Sequence, residues 1–226
     1  MTNVYAHRGA SAELPENTLP AFARAMELGA FGVELDVHLT RDGIPVVIHD
    51  DTVDRTTDGV GAVADLDAVE VIRLDAGDGA RVPLLDDVLD LFGDRLHLDI
   101  EVKAAAAADA VLKAISRRPA LQFAVSSFDH DVLRHLRSRS RGVDLWPLTH
   151  AASDGVLETA AELGAPCIAM KDDFVNREIV DYLRSWSLGA WVWTVNDASR
   201  AAELKAMGVV GICTDDPDIL LRAGRN

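Results

Sequence analysis

The chain has 226 residues, of which 49% are hydrophobic, and its 22 basic and 37 acidic side chains give a net charge of −15. This length suits one substantial core, so we expect a single domain over residues 1–226. The negative charge argues against nucleic acid or an anionic membrane as a partner, since both would need a basic surface. No segment is long and apolar enough to span a membrane and no secretory signal is evident, so we expect a soluble, cytoplasmic protein. The two cysteines, Cys167 and Cys213, lie in apolar segments and are expected to be buried free thiols.

Short β-rich segments alternate with longer helical patterns along the chain. The predicted strands are Val4–Arg8, Gly32–Val37, Leu96–Val102, Gln122–Ser127, Val143–Leu148, Cys167–Met170, Ala190–Val195 and Gly211–Thr214. Eight strands separated by helices predict an α/β fold, a closed parallel TIM (β/α)8 barrel. The alternative is a doubly wound open sheet, but the first strand is not followed by a glycine-rich nucleotide loop.

The connection after the second strand is too long for a plain loop, so we expect a small insertion over about residues 41–83. Before it, Thr18 can cap the first helix and Gly29 can end it. The insertion begins with a hairpin-like Arg41-Asp42-Gly43 turn, and an apolar run then ends at His49-Asp50. Long structured insertions at barrel loops usually serve the active site.

Three carboxylates are predicted at the ends of neighbouring strands. Glu34 and Asp36 are two residues apart on a strand, so both side chains point the same way, and Glu101 alternates with apolar residues on the next strand. The negative charges of the three carboxylates repel one another unless a cation lies between them. All-oxygen ligands favour one hard divalent cation, Mg²⁺ or Ca²⁺. The alternative is that these acids pair with Arg8 and Lys103 in a purely stabilising network.

His7 and His49 are the candidate proton-moving residues, because each follows an apolar run and has a charged neighbour. The remaining histidines lack such neighbours and are expected to be structural or exposed; they are His38, His97, His130, His135 and His150. Spacing alone therefore predicts a metal-assisted acid–base site.

Two cationic side chains and one aromatic side chain complete the candidate site. Arg8 and Lys103 can hold phosphoryl oxygens, the first as a planar fork and the second as a point charge. Trp193 precedes a polar strand end and is a candidate wall for the glycerol or alcohol group of a substrate, although core packing is the alternative.

Motifs in register along the whole chain resemble those of the glycerophosphodiester phosphodiesterase family. They are His7-Arg8-Gly9, Pro15-Glu16-Asn17-Thr18, Glu34-Leu35-Asp36-Val37, Thr40-Arg41-Asp42-Gly43, Val46-Val47-Ile48-His49-Asp50, Arg55-Thr56-Thr57, Glu101-Val102-Lys103, Ser126-Ser127-Phe128, Trp193-Thr194-Val195-Asn196 and Thr214-Asp215-Asp216-Pro217. Each motif alone is a weak signal, but their shared order makes the resemblance specific.

This resemblance implies metal-dependent hydrolysis of glycerophosphodiesters to glycerol 3-phosphate and an alcohol. It implies that His7 and His49 are the general acid–base pair, and it assigns the ligands and binding groups as follows: Glu34, Asp36 and Glu101 to the metal, and Arg8 and Lys103 to the phosphate. The segments 15–18 and 55–57 are expected to shape loops and cap helices. An unspecific pocket for the leaving alcohol is expected.

Other functions remain open from the sequence. A lysophospholipase D or sphingomyelinase D-like activity would use a similar barrel, but it would favour an apolar or basic rim for a lipid surface. A non-catalytic phosphate-binding module would have no need of both histidines and all three carboxylates. A metal-free sugar phosphate isomerase would not need the carboxylate cluster.

Overall fold

The computed structural model describes residues 2–150 and 153–218. The strands are β1 Asn3–His7, β2 Gly32–Leu39, β3 Pro45–Val47, β4 His97–Val102, β5 Phe123–Ser127, β6 Leu145–Thr149, β7 Cys167–Lys171, β8 Gly189–Trp193 and β9 Gly211–Thr214. The α-helices are α1 Leu19–Leu28, α2 Ala68–Val71, α3 Leu85–Phe92, α4 Ala108–Ser116, α5 His130–Arg139, α6 Asp154–Leu163, α7 Arg177–Ser185 and α8 Ala198–Met207.

Eight of these strands form a closed parallel barrel in the order β1, β2, β4, β5, β6, β7, β8, β9, and β1 closes the ring by pairing with both β2 and β9. The prediction of a TIM barrel is confirmed, and each of the eight predicted strands begins and ends within two residues of its predicted bounds. The first strand stops at His7 because Arg8 has a φ of 57°, in the left-handed region that breaks a strand.

Local sequence signals set the first helix as predicted. The Thr18 side chain accepts a hydrogen bond from the N–H of Ala21, and Gly29 ends α1 with a φ of 88°, a conformation that suits glycine. None of the described helices combines the length and the apolar composition that crossing a bilayer would require.

The insertion lies against β2 through the short antiparallel strand β3. The N–H of Arg8 donates to the carbonyl oxygen of Glu34, at 3.0 Å. Two residues further on, the carbonyl oxygen of Asp36 accepts from the N–H of Ile48, also at 3.0 Å. Alternate carbonyls of a strand point to the same side, so β3 occupies the edge of β2 just beyond the end of β1. The two candidate proton-moving histidines, at the end of β1 and just after β3, therefore lie beside the same strand.

The insertion has an apolar cluster of its own, separate from the layer between the barrel and its helices. The members are buried and are Val46, Ile48, Val53, Val63, Val71, Ala76 and Val82. Residues of β2 that point away from the barrel axis, Val33, Leu35 and Val37, belong instead to the main core.

Large aromatic side chains fill the barrel interior beneath the strand ends. Tyr5, Trp146 and Trp191 pack there with both cysteines, which are buried and free as predicted. These side chains pack into a floor beneath the C-terminal ends of the strands.

Candidate active site

The predicted site residues come together at the C-terminal ends of the barrel strands. A pocket there encloses an empty volume of about 400 Å³, counted out to its open mouth. Seven of the eight predicted residues line it: His7, Arg8, Glu34, His49, Glu101, Lys103 and Trp193. The eighth, Asp36, is only 1% exposed and joins the carboxylate cluster. Residues from β1, β2, β4, β8 and the insertion therefore share one cavity.

The three predicted carboxylates form a compact cluster. Glu34, Asp36 and Glu101 each contribute an oxygen atom, and these oxygens lie within 4.8 Å of one another. The Nζ atom of Lys103 lies 2.8 Å from Glu101 Oε1 and 3.5 Å from Asp36 Oδ1. Arg8 Nε lies 3.3 Å from Asp36 Oδ2. The ion-pair network that the sequence left open is therefore present, but it does not satisfy the cluster: Glu34 Oε1 and Asp36 Oδ1 are buried with no hydrogen-bond partner among the described residues.

The electrostatics of the cluster are those expected of a cation-binding site. Burial raises the pKa of the Glu34 carboxyl well above its usual value, and the charges of Asp36 and Glu101 raise it further. Burial also raises the pKa of Glu101, and Asp36 adds to this effect while Lys103 opposes it. Raised pKa values show that the neighbouring cations do not offset desolvation and mutual repulsion. An all-oxygen donor set with unpartnered buried oxygens fits a divalent cation.

His7 is oriented by a carboxylate from the last strand of the barrel. Its Nδ1 atom lies 2.6 Å from Asp215 Oδ1. Burial opposes ionisation of Asp215, but hydrogen bonds from His7 and Asn196 outweigh it and lower the pKa of Asp215 to about 2. An ionised carboxylate only accepts hydrogen bonds, so the Nδ1 atom of His7 carries a proton. The Nε2 atom, 4.0 Å from Glu34 Oε2, is left as the nitrogen that can exchange a proton at the pocket.

His49 has a matching arrangement. Its Nδ1 atom lies 2.6 Å from Asp50 Oδ1, and a hydrogen bond from Arg55 is the main cause that lowers the pKa of Asp50. The Nδ1 atom of His49 therefore also donates, and no described residue hydrogen-bonds to its Nε2 atom. His38, expected to be structural, supports this position, because its Nε2 atom lies 3.0 Å from the carbonyl oxygen of His49.

A chain of charged contacts ties the insertion to the side of the pocket that Arg8 lines. Arg55 Nε donates to Asp50 Oδ2 at 2.7 Å, and both of its terminal nitrogens donate to Glu16 at 2.9 Å. Glu16 accepts in turn from Arg8 Nη1, also at 2.9 Å. These contacts link the histidine of the insertion to the arginine that contacts Asp36.

From the sequence, Asp215 was only one of the polar residues at the strand ends and Asp50 only the charged neighbour of His49, and neither Glu16 nor Arg55 was expected to act in the site. A usable signal existed for two of them. Asp50 follows His49 directly in the chain, and Asp215 directly follows the last predicted strand, which barrel closure places beside the first. Glu16 and Arg55 lie in the motifs that were expected only to shape loops, and nothing local shows that they meet.

Asp99 was also missed. It is fully buried on β4, lines the pocket, and accepts a hydrogen bond from Ser126 Oγ at 2.7 Å. Burial raises the pKa of Asp99 to about 8, against the lowering effect of the Ser126 hydrogen bond and with help from Glu101. Burial therefore favours the neutral form of this carboxyl.

Comparisons of the sequence with known proteins agree with the motifs. The model of the glycerophosphoryl diester phosphodiesterase family matches residues 7–219. The chain is 37% identical to a glycerophosphodiester phosphodiesterase of Caldanaerobacter subterraneus subsp. tengcongensis, an alignment covering 99% of this chain and 98% of the relative. It is 33% identical to glycerophosphodiester phosphodiesterase 1 of Homo sapiens, covering 84% of this chain and 71% of the relative.

Solved structures agree as well. An Oleispira antarctica phosphodiesterase, in complex with the product sn-glycerol-3-phosphate, superposes with a TM-score of 0.93 at 27% identity, covering 100% of this chain and 98% of that one. A glycerophosphodiester phosphodiesterase of Thermotoga maritima superposes with a TM-score of 0.86 at 30% identity, covering 98% of both chains.

Proposed function

The chain belongs to the glycerophosphoryl diester phosphodiesterase family, whose members are phosphoric diester hydrolases, and we propose that it uses two histidines and one divalent cation to hydrolyse glycerophosphodiesters. The products are glycerol 3-phosphate and the alcohol of the diester. The observation that carries this proposal is the pairing of each histidine with its own carboxylate through Nδ1, in a pocket that also holds the carboxylate cluster.

The cation site is proposed to be formed by Glu34, Asp36 and Glu101, and its fit to Mg²⁺ or Ca²⁺ follows from the oxygen-only donors. When bound, the cation would neutralise phosphoryl oxygens and stabilise the charge of the transition state. Arg8 and Lys103, at the edge of the cluster, are placed to hold the same oxygens.

The histidines would share the proton transfers. One Nε2 atom takes the proton from the glycerol hydroxyl next to the ester. The oxygen of that hydroxyl then bonds to phosphorus. The other Nε2 atom gives a proton to the alcohol oxygen as its bond to phosphorus breaks. The resulting cyclic glycerophosphate is opened by water to glycerol 3-phosphate, with the two proton transfers reversed. Attack within one molecule benefits from proximity.

Release of glycerol 3-phosphate from glycerophosphocholine and glycerophosphoethanolamine tests the proposal. Turnover should be absent in EDTA and restored by Mg²⁺ or Ca²⁺, and Glu101→Gln should need more cation for the same rate. Asp109→Asn provides a control, since Asp109 pairs with His135 on the outer surface. Failure of both substrates with both cations would refute the assignment, and lysophospholipids would then be tested.

A further inference from the structure

The pocket has two chemically different halves. Charged residues come from the neighbouring strands β1, β2 and β4. The rest of the lining is mainly apolar and comes from β5, β6, β8 and β9 or the residues just after them: Phe128, Leu148, Trp191, Trp193 and Cys213. A phosphodiester held by the charged half must therefore place one of its two substituents against the apolar half.

Three aromatic rings meet at the mouth of this apolar half. Phe128, His150 and Trp193 follow or end β5, β6 and β8, so all lie at the C-terminal ends of strands. The Phe128 and Trp193 rings meet at 88° with centroids 5.5 Å apart, and so form a corner. The His150 ring stacks on Phe128 at 5.0 Å and also contacts Trp193 at 5.7 Å. His150 does not line the pocket, so it supports the corner from outside.

The chemistry of the corner favours one kind of substituent. Glycerol carries hydroxyl groups that need hydrogen-bond partners, and ring faces supply few, whereas the charged half supplies many. A quaternary ammonium group makes no strong hydrogen bonds and is attracted to the faces of aromatic rings. Lys171 is opposite Trp193 in the pairing of β7 with β8, but it pairs with Asp173 at 2.6 Å and does not line the pocket.

The overall charge acts in the same direction. At a net charge of −15, the protein repels diesters that carry a net negative charge more than zwitterionic ones. A diester whose alcohol carries a fixed positive charge has no net charge.

We propose that the Phe128–Trp193 corner, supported by His150, binds the leaving alcohol and selects for a quaternary ammonium group, so that glycerophosphocholine is a preferred substrate. This inference rests on the proposed function, and it replaces the unspecific alcohol pocket expected from the sequence.

The test compares two diesters of the same shape. In one the alcohol is choline, and in the other it is 3,3-dimethylbutan-1-ol, in which carbon replaces the charged nitrogen. With saturating cation, kcat/KM should be about tenfold higher for the choline ester, as expected for a cation held by ring faces in a partly desolvated site. In Phe128→Leu this ratio should fall toward one. In His150→Leu it should fall less, because the corner loses only its support.

Phe31→Leu is the matched control. Phe31 also stacks on a histidine, His97, but at the opposite end of the barrel, so this variant should keep the wild-type ratio. Equal kcat/KM values for the two esters in the wild type, or a ratio unchanged in Phe128→Leu, would overturn the proposal that the corner selects a quaternary ammonium group. Either result would leave the hydrolase assignment intact. No release from either ester would overturn the proposed function and this inference with it.

Discussion

Asp215→Asn tests the orientation of His7 by changing one atom of a carboxylate. In the wild type, Asp215 Oδ1 accepts from His7 Nδ1 and Oδ2 accepts from Asn196 Nδ2, both at 2.6 Å. The Asn196 amide cannot turn over, because its Oδ1 atom already accepts from the Thr214 hydroxyl and the N–H of residue 215. Asp215 Oδ1 also lies 3.2 Å from the Ser11 hydroxyl, which donates at 2.8 Å to the carbonyl oxygen of His7. An asparagine at this position therefore has one oxygen for the two nitrogen donors, His7 Nδ1 and Asn196 Nδ2. Its NH₂ group must face either His7 or Asn196.

Both arrangements should lower the rate. If the NH₂ group faces His7, Nδ1 must accept and the proton moves to Nε2, which is then unable to act as a base. If it faces Asn196, two donors meet and the turn after β9 must shift. A positioned acid or base contributes on the order of 10²–10⁴-fold. Because the Asp215 side chain is 36% exposed and water can partly replace it, we expect a loss of about 10²–10³-fold in kcat and a KM within about threefold.

The assay is glycerol 3-phosphate release at saturating cation, and thermal unfolding should show that the fold is retained. Nitrogen-15 NMR of labelled histidines distinguishes the two arrangements, because the proton lies on His7 Nε2 if the NH₂ group faces His7 and stays on Nδ1 if it faces Asn196. Asp94→Asn, at a side chain that is 72% exposed, controls for loss of a charge. A loss of kcat smaller than about threefold would refute the reasoning, because a misplaced base should lower kcat by at least about 10²-fold.

Three further predictions follow from the contacts of the site. His7→Ala and His49→Ala should each lower kcat by about 10²–10⁴-fold with unchanged thermal unfolding. The control His135→Ala, at an exposed histidine, should leave kcat unchanged. A near-normal rate in His7→Ala or His49→Ala would remove the substituted histidine from the mechanism. Arg55→Leu should lower kcat by about tenfold, and Arg55→Lys should recover only part of the rate because an ammonium cannot reproduce the forked contacts. Arg41→Leu removes similar exposed ion pairs in the insertion and should change kcat little. An equal loss of kcat in Arg41→Leu would contradict the prediction. In metal-free protein, the raised pKa of Asp99 means that the free energy of unfolding falls as the pH rises from 3.8, the usual pKa of the carboxyl, to about 8. The melting temperature of Asp99→Asn should therefore exceed that of wild type by several degrees more at about pH 9 than at about pH 5. An equal difference in melting temperature at both pH values would contradict this prediction.

The sequence predicted the barrel and the convergence of the three carboxylates because both depend on short-range patterns. Period-two alternation around Glu34 and Asp36 showed which way their side chains point, and barrel geometry then placed them with Glu101. The trio is found within 4.8 Å as that reasoning requires.

Periodic alternation does not predict the partner of His7. The charged neighbour that marked His7 was Arg8, but the left-handed backbone of Arg8 turns that side chain toward Glu16 and Asp36. The actual partner, Asp215, is 208 positions away. Such a contact depends on side-chain direction at two strand ends, and a single sequence carries no periodic signal for it.

The separate apolar cluster of the insertion has a consequence for how the enzyme would lose activity. One histidine ends a barrel strand, whereas the other follows β3, whose Val46 packs in the small apolar cluster of the insertion. Elements with few buried apolar contacts open at a lower free energy than the whole domain. Inactivation by mild denaturant would then be a sub-global event, complete while the spectroscopic signature of the barrel is still intact and reversed as soon as the insertion docks again.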